Sequence, residues 1–123
     1  MYIPFNPNPC NKRVGDCTVR AICKILGKEW ADVYLDLCLF GLMMCDIPSS
    51  NNVWGEYLKS QGFERHIVPE NDSTVESFCA DHPRGKYLLA LQSHVVAAED
   101  GNYYDMWDSG NEVPLYYWQR KEE

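Results

Sequence analysis

Apolar positions in the first half of the chain recur at steps of three and four. Val19, Ile22, Cys23, Ile25 and Leu26 do so as far as Gly27, a natural helix stop, which predicts a helix over about 17–26. From Glu29 to Met44 the residues Trp30, Val33, Tyr34, Leu37, Cys38 and Leu42 describe a second helix with one broad buried face, ended before Pro48. Ser50 or Asn51 can cap a third through Val53, Trp54, Tyr57 and Leu58 to Gly62. The spacing then changes. Phe63 to Val68 alternates as a strand closed by Pro69, and Ser73-Thr74-Val75-Glu76 opens a short capped helix through Phe78 and Cys79.

The last third reads as strands. Lys86 to Gln92 is a near-continuous apolar run, and His94–Glu99 and Tyr103–Trp107 flank the turn signal Asp100-Gly101-Asn102 as a hairpin. Val113 to Trp118 adds an edge strand, and Gln119 to Glu123 should fray. At the other end Pro4, Pro7 and Pro9 remove backbone donors, so residues 1 to 9 form an extended segment across the domain, anchored by Tyr2, Ile3 and Phe5. Helices first and strands later signal an α+β fold, with the first helix packed on a C-terminal antiparallel sheet. A length of 123 residues supports one domain, 1–123, with one core.

Composition narrows the function classes. A hydrophobic content of 46% argues for a packed globule, and a net charge of −7 with scattered basic residues argues against nucleic acid. The longest apolar run, Leu35 to Ile47, is broken by Asp36, Gly41 and Asp46 and is too short for a bilayer, so no membrane partner is expected. Cys10, Cys17, Cys23, Cys38, Cys45 and Cys79 show no Cys-x-x-Cys pair and no histidine at ligand spacing, which disfavours zinc. Without a signal peptide, and with several of these cysteines inside helical patterns, they read as the thiols of a cytoplasmic protein.

Chemistry concentrates in Asn11-Lys12-Arg13-Val14-Gly15-Asp16-Cys17-Thr18-Val19-Arg20. Cys17 stands where a glycine-bearing loop becomes a helix, and unpaired N–H groups with the positive end of the helix dipole favour a thiolate there. Its N–H can serve half of an oxyanion hole, with Asn11 as the second donor. Arg20, one turn on, either supports the thiolate or pairs with a carboxylate. Of His66, His82 and His94, the last is the candidate base. A three-residue hairpin loop places Asp108 opposite His94, where it can hold the imidazole tautomer. A two-residue loop instead sets Trp107 against His94 and turns Asp108 to the other face, leaving Asp105 as the alternative orienter. His66 and His82 read as structural, Cys23, Cys38 and Cys79 as core, and Cys10 as a loop thiol near Asn11.

Asn11, Cys17 early on a helix, then His94 and Asp108 on late adjacent strands resemble, in that order, the papain-like cysteine peptidase fold. More narrowly, the early Asp-Cys-x-x-Arg-Ala and the late His-Val-Val-Ala, Asp-Gly and Tyr-Asp-x-Trp-Asp-Ser are similar to small bacterial and phage cysteine-peptidase-like proteins, over nearly the whole chain. That resemblance implies a Cys17–His94–Asp108 triad with Asn11 in the place of the usual oxyanion glutamine. Asn11 for glutamine, Ser93 before the histidine and the absence of the Cys-Gly-Ser-Cys-Trp signature of the cathepsins depart from the family pattern. The expected activity is a cysteine hydrolase, a peptidase, isopeptidase or amidase acting on a peptide or protein substrate without metal or organic cofactor. The alternative is a catalytically inactive binding protein on the same scaffold, such as a phage-encoded inhibitor or host-interaction factor, for which an acidic surface is suited.

Overall fold

The structure, a computed structural model that describes residues 1–68 and 74–121, is an α+β domain of four helices and a six-stranded mixed sheet. In chain order the elements are β1 (Tyr2–Pro4), α1 (Cys17–Leu26), α2 (Trp30–Met44), α3 (Asn51–Ser60), β2 (Phe63–Ile67), α4 (Val75–Asp81), β3 (Lys86–Leu91), β4 (His94–Glu99), β5 (Asn102–Asp105) and β6 (Tyr116–Arg120). The strands lie in the order β1-β5-β4-β3-β6-β2. β1 runs parallel to β5, and the other neighbours are antiparallel.

Period-two alternation splits β3 and β4 between two cores. Leu88, Ala90, Val95 and Ala97 face α1, α2 and α3, where Ile22, Ile25, Val33, Trp54, Tyr57 and Leu58 are buried. Tyr87, Leu89, Leu91, Val96 and Ala98 face the opposite side, which α4 covers with Val75, Phe78 and Cys79. The sheet is thus the middle of three layers, and α1 lies directly over β4. Each fully buried large aliphatic side chain stabilises this arrangement by about 1.5–3 kcal/mol relative to exposure.

The hairpin joining β4 to β5 closes through two residues. Asp100 and Gly101 have φ of 51° and 84°, and Glu99 pairs with Asn102. Both turn positions require positive φ, which Asp tolerates and Gly adopts freely, so Asp-Gly selects this tight turn over the three-residue loop. Trp107 accordingly meets His94, with ring centroids 5.1 Å apart.

Several elements differ from the sequence expectation. β6 is an interior strand between β3 and β2 and runs from Tyr116; Leu115 just before it already donates its N–H to Ala90 O of β3, and Val113 is exposed. Gln119 and Arg120 do not fray, since they pair with Glu64 and Phe63 of β2. Residues 122–123, and Pro69 and Ser73 of the predicted strand end and helix start, lie outside the described residues. The α4 capping box is formed by Thr74 and Ser77. On α2 the buried face is narrow, comprising Val33, Leu37 and Gly41, while Tyr34 and Leu42 are exposed. Among the described residues no helix is long and apolar enough to cross a membrane.

Candidate active site

The first turn of α1 is built unusually. Asp16 holds the N-cap position, yet its carboxylate caps nothing: Oδ1 accepts from Arg20 Nη1 at 2.8 Å and Oδ2 from Trp30 Nε1 at 2.9 Å. An aspartate here would ordinarily quench the helix's first N–H groups. Its diversion leaves them, and the dipole they express, beside the Cys17 sulfur.

His94 opens β4 and Asp105 closes β5, so the antiparallel hairpin brings both to one end of the sheet, the end where α1 begins. His94 Nε2 lies 2.7 Å from Asp105 Oδ2. With Nε2–H donated to a carboxylate, the ring's other nitrogen is left for the thiol, and His94 shares one cleft with Cys17 and lowers its pKa. The carboxylate holding the histidine is therefore Asp105. Asp108, the partner implied by the three-residue loop, accepts from Tyr103 Oη and Gly110 N instead, because the tight turn shifts the register by one residue.

Asp105 is fully buried, and four donors meet it. Oδ2 takes Ser109 Oγ at 2.8 Å besides His94, and Oδ1 takes Arg20 Nη2 at 3.0 Å and Met106 N at 2.8 Å. Its main-chain carbonyl is held in turn by Phe5 N and by Tyr2 Oη, so the N-terminal segment braces the acid. Arg20, itself buried, joins the two carboxylates. The hydrogen-bonded chain Trp30–Asp16–Arg20–Asp105–His94 runs from α2 through α1 to the sheet and ends at the cleft that Cys17 also lines. Arg20 thus pairs with carboxylates, the second of its two expected roles.

The electrostatics follow this wiring. Burial works against the Cys17 thiolate, but hydrogen bonds from His94 and Val95 N–H, the charge of His94 and the Thr18 hydroxyl outweigh it and bring the pKa below the ordinary thiol value. Burial likewise works against the His94 imidazolium, yet the Asp105 hydrogen bond, Cys17 and the negative charges of both raise it to about 9. Asp105 is lowered despite burial by His94, then by Ser109 and Met106 N–H. Opposite shifts in a thiol and an imidazole that line one cleft and act on each other favour a thiolate–imidazolium pair.

Cys17 and His94 line an open cleft of about 500 Å³ with Ser49, Asn51, Trp54, Gln92 and Tyr116. Asn11 does not line it. It is exposed, with φ of 54°, and accepts from Asn6 Nδ2 beside a separate depression formed with Pro4, Phe5, Arg13 and Met106. The amide on the cleft wall is Asn51, which the sequence offers only as a helix cap. Its Oδ1 accepts from Trp54 Nε1 at 3.0 Å, and since an indole N–H only donates, this fixes the amide's orientation, with no acceptor for its NH2 among the described residues. The signal lay in Asn51-x-x-Trp54, one helical turn apart.

The remaining candidates are structural. His82 Nδ1 sits 2.8 Å from Phe78 O with its ring stacked on Phe78, and His66 stacks on Tyr117. Cys23 and Cys79 are buried, and burial pushes their thiols up to about 12 and about 11. Cys10 is exposed in its loop. Among the described residues no group of three or more His, Cys, Asp and Glu side chains is arranged to hold a metal ion. Compared with family models, curated proteins and solved structures, the chain matches none.

Proposed function

We propose that the protein is a cysteine hydrolase, a peptidase or amidase, cleaving an amide or related acyl bond of a peptide or protein substrate with Cys17, His94 and Asp105. The observation that carries this is the bond from the Asp105 carboxylate to His94, which lines one open cleft with a Cys17 thiol whose pKa it lowers. A sealed Cys17 would instead favour the inactive binding protein. A helix bearing the cysteine, laid on a mixed sheet whose antiparallel β4–β5 hairpin bears the histidine and then the acid, supports the papain-like reading and with it the resemblance to the bacterial and phage proteins. A reducing cytoplasm suits the proposal, because the nucleophile must stay a thiol.

In the first step the Cys17 thiolate adds to the carbonyl carbon, and the oxyanion is met by the Cys17 N–H and the amide of Asn51, the donor on the cleft wall that Trp54 holds rigid. The tetrahedral adduct collapses with cleavage of the C–N bond, and His94 delivers its proton to the departing amine. Water then gives a proton to His94 and attacks the thioester. The acid leaves, and the thiolate–imidazolium pair is restored. Asp105 keeps the tautomer throughout, and Arg20, Ser109 and Met106 N–H hold Asp105.

Iodoacetamide near neutral pH tests the reading, with mass spectrometry locating the label. Selective modification of Cys17, lost in His94→Ala, supports it. Uniform labelling of exposed Cys10, exposed Cys45 and Cys17 would sink it.

A further inference from the structure

A second cavity of about 350 Å³ opens between α1 and α2, and three of its lining residues, Gly15, Thr18 and Ser49, also line the Cys17 cleft. Gly15 and Thr18 lie within two residues of Cys17, so the two spaces share a rim at the start of the helix that carries it. We propose that this cavity receives an uncharged apolar side chain of the substrate, adjacent to the bond that Cys17 attacks. The proposal rests on the hydrolase reading and adds a substrate class to it.

The lining chemistry selects the occupant. Val14, Val19, Leu37 and Pro48 supply aliphatic walls, and Trp30 and Tyr34 supply a stacked aromatic pair with centroids 5.0 Å apart at 24°. The carboxylate in the lining, that of Asp16, has Oδ1 occupied by Arg20 and Oδ2 by Trp30. The indole N–H is spent on the same bond. A cationic side chain would find no free anion, and an acidic one no free cation, so either would lose its hydration uncompensated. A phenyl or branched aliphatic group loses nothing polar and gains contact with the ring pair. The volume, at the low end for ligand sites, suits one side chain rather than an extended segment.

The position beside the helix start also explains an otherwise costly exposure. Tyr34 is 48% exposed although it stacks on Trp30, and a substrate group seated against it covers the apolar ring.

Peptidyl chloromethyl ketones with benzyl, isobutyl, methyl, aminobutyl or carboxyethyl side chains, read by mass spectrometry at Cys17, test the pocket. Benzyl and isobutyl reagents are expected to modify Cys17 about 10-fold or more faster than the methyl reagent, with both charged reagents at or below the methyl rate. Cys38→Trp, which fills the cavity from α2, should bring the benzyl-to-methyl ratio to about one. Tyr34→Ala, at an exposed position, gives a second reading by shifting preference toward a naphthylmethyl reagent. Equal rates for all side chains, with iodoacetamide still selecting Cys17, overturn the pocket and leave the hydrolase standing. Loss of iodoacetamide selectivity overturns the hydrolase itself.

Discussion

Cys17 and Cys23 lie six residues apart on one helix, and their thiols move in opposite directions. Both are desolvated, and in both that is the largest influence. At Cys23 the carboxylates of Asp16 and Glu29 add to it and together outweigh a backbone hydrogen bond, so the thiol is pushed to about 12. At Cys17 an imidazole, a main-chain N–H and a hydroxyl surround the sulfur and reverse the sign. Burial alone makes a cysteine inert, and what makes one reactive is the set of donors that replaces the lost water. The helix supplies its uncapped start to one thiol and its packed middle to the other.

Removing the donors from Cys17 should convert it toward Cys23. Cys17→Ser should abolish amide hydrolysis, and His94→Ala should reduce it by about 10²–10⁴-fold and erase the selective iodoacetamide labelling. Peptide-library hydrolysis and labelling stoichiometry measure both. Asp105→Asn comes next, because an amide that no longer fixes the tautomer should cost a comparable factor of about 10²–10⁴ in kcat. Asp108→Asn, which touches Tyr103 and Gly110 rather than His94, should leave kcat within about 3-fold. Equal losses from the two aspartates would refute the assignment of the acid.

That contrast between aspartates also marks how far the residues alone could be read. Cys17 at the start of α1 and the limits of that helix follow from apolar spacing, Gly15 and Gly27, all local features. The acid depended on one residue of register in the hairpin, and only the positive φ of Asp100 and Gly101 settles it. Local alternation carries no information about lateral neighbours, so it cannot distinguish an edge strand from the interior place that β6 holds between β3 and β2. Asn11 satisfied a sequence offset, yet the loop turns at Asn11 itself and carries it to another surface. The dual bond of Arg20 to Asp16 and Asp105 spans 85 residues on one side and could not be read from spacing.

Arg20 sharpens the comparison through stability. Arg20→Leu strands two buried carboxylates, and breaking a buried pair of this kind costs about 3–5 kcal/mol, measurable as a lowered denaturant midpoint. Arg20→Lys keeps the charge but not the fork, so it should recover part of that loss while kcat stays depressed.

The pH profile has two limbs with different owners. Hydrolysis should rise as Cys17 ionises, below the usual thiol range, and fall at about 9, where His94 loses the proton that the leaving amine needs. Asp105→Asn removes the leading cause that lifts His94, so its alkaline limb should move to lower pH. Asp105 leaves its own mark on folding. Its folded pKa is depressed, so its stabilisation is present above the unfolded carboxyl value of about 3.9 and is lost as pH falls through the folded one. Urea midpoints should therefore drop more steeply on acidification in the native chain than in Asp105→Asn.

The smallest effect is expected at Cys23. It is 3% exposed and packs in the helix-side core, so Cys23→Ala removes one buried sulfur and should cost about 1 kcal/mol. Because Cys23 is not bonded to the His94–Asp105 pair, the Cys17 labelling rate and both pH limbs should stay where they are. Cys23→Ser puts a hydroxyl among Ile22, Ile25 and their neighbours and should destabilise more than Cys23→Ala, again with Cys17 unchanged. If either substitution shifted the Cys17 profile, the two thiols would share one electrostatic environment, and the reversal of sign along α1 would no longer be set by the donors at its first turn.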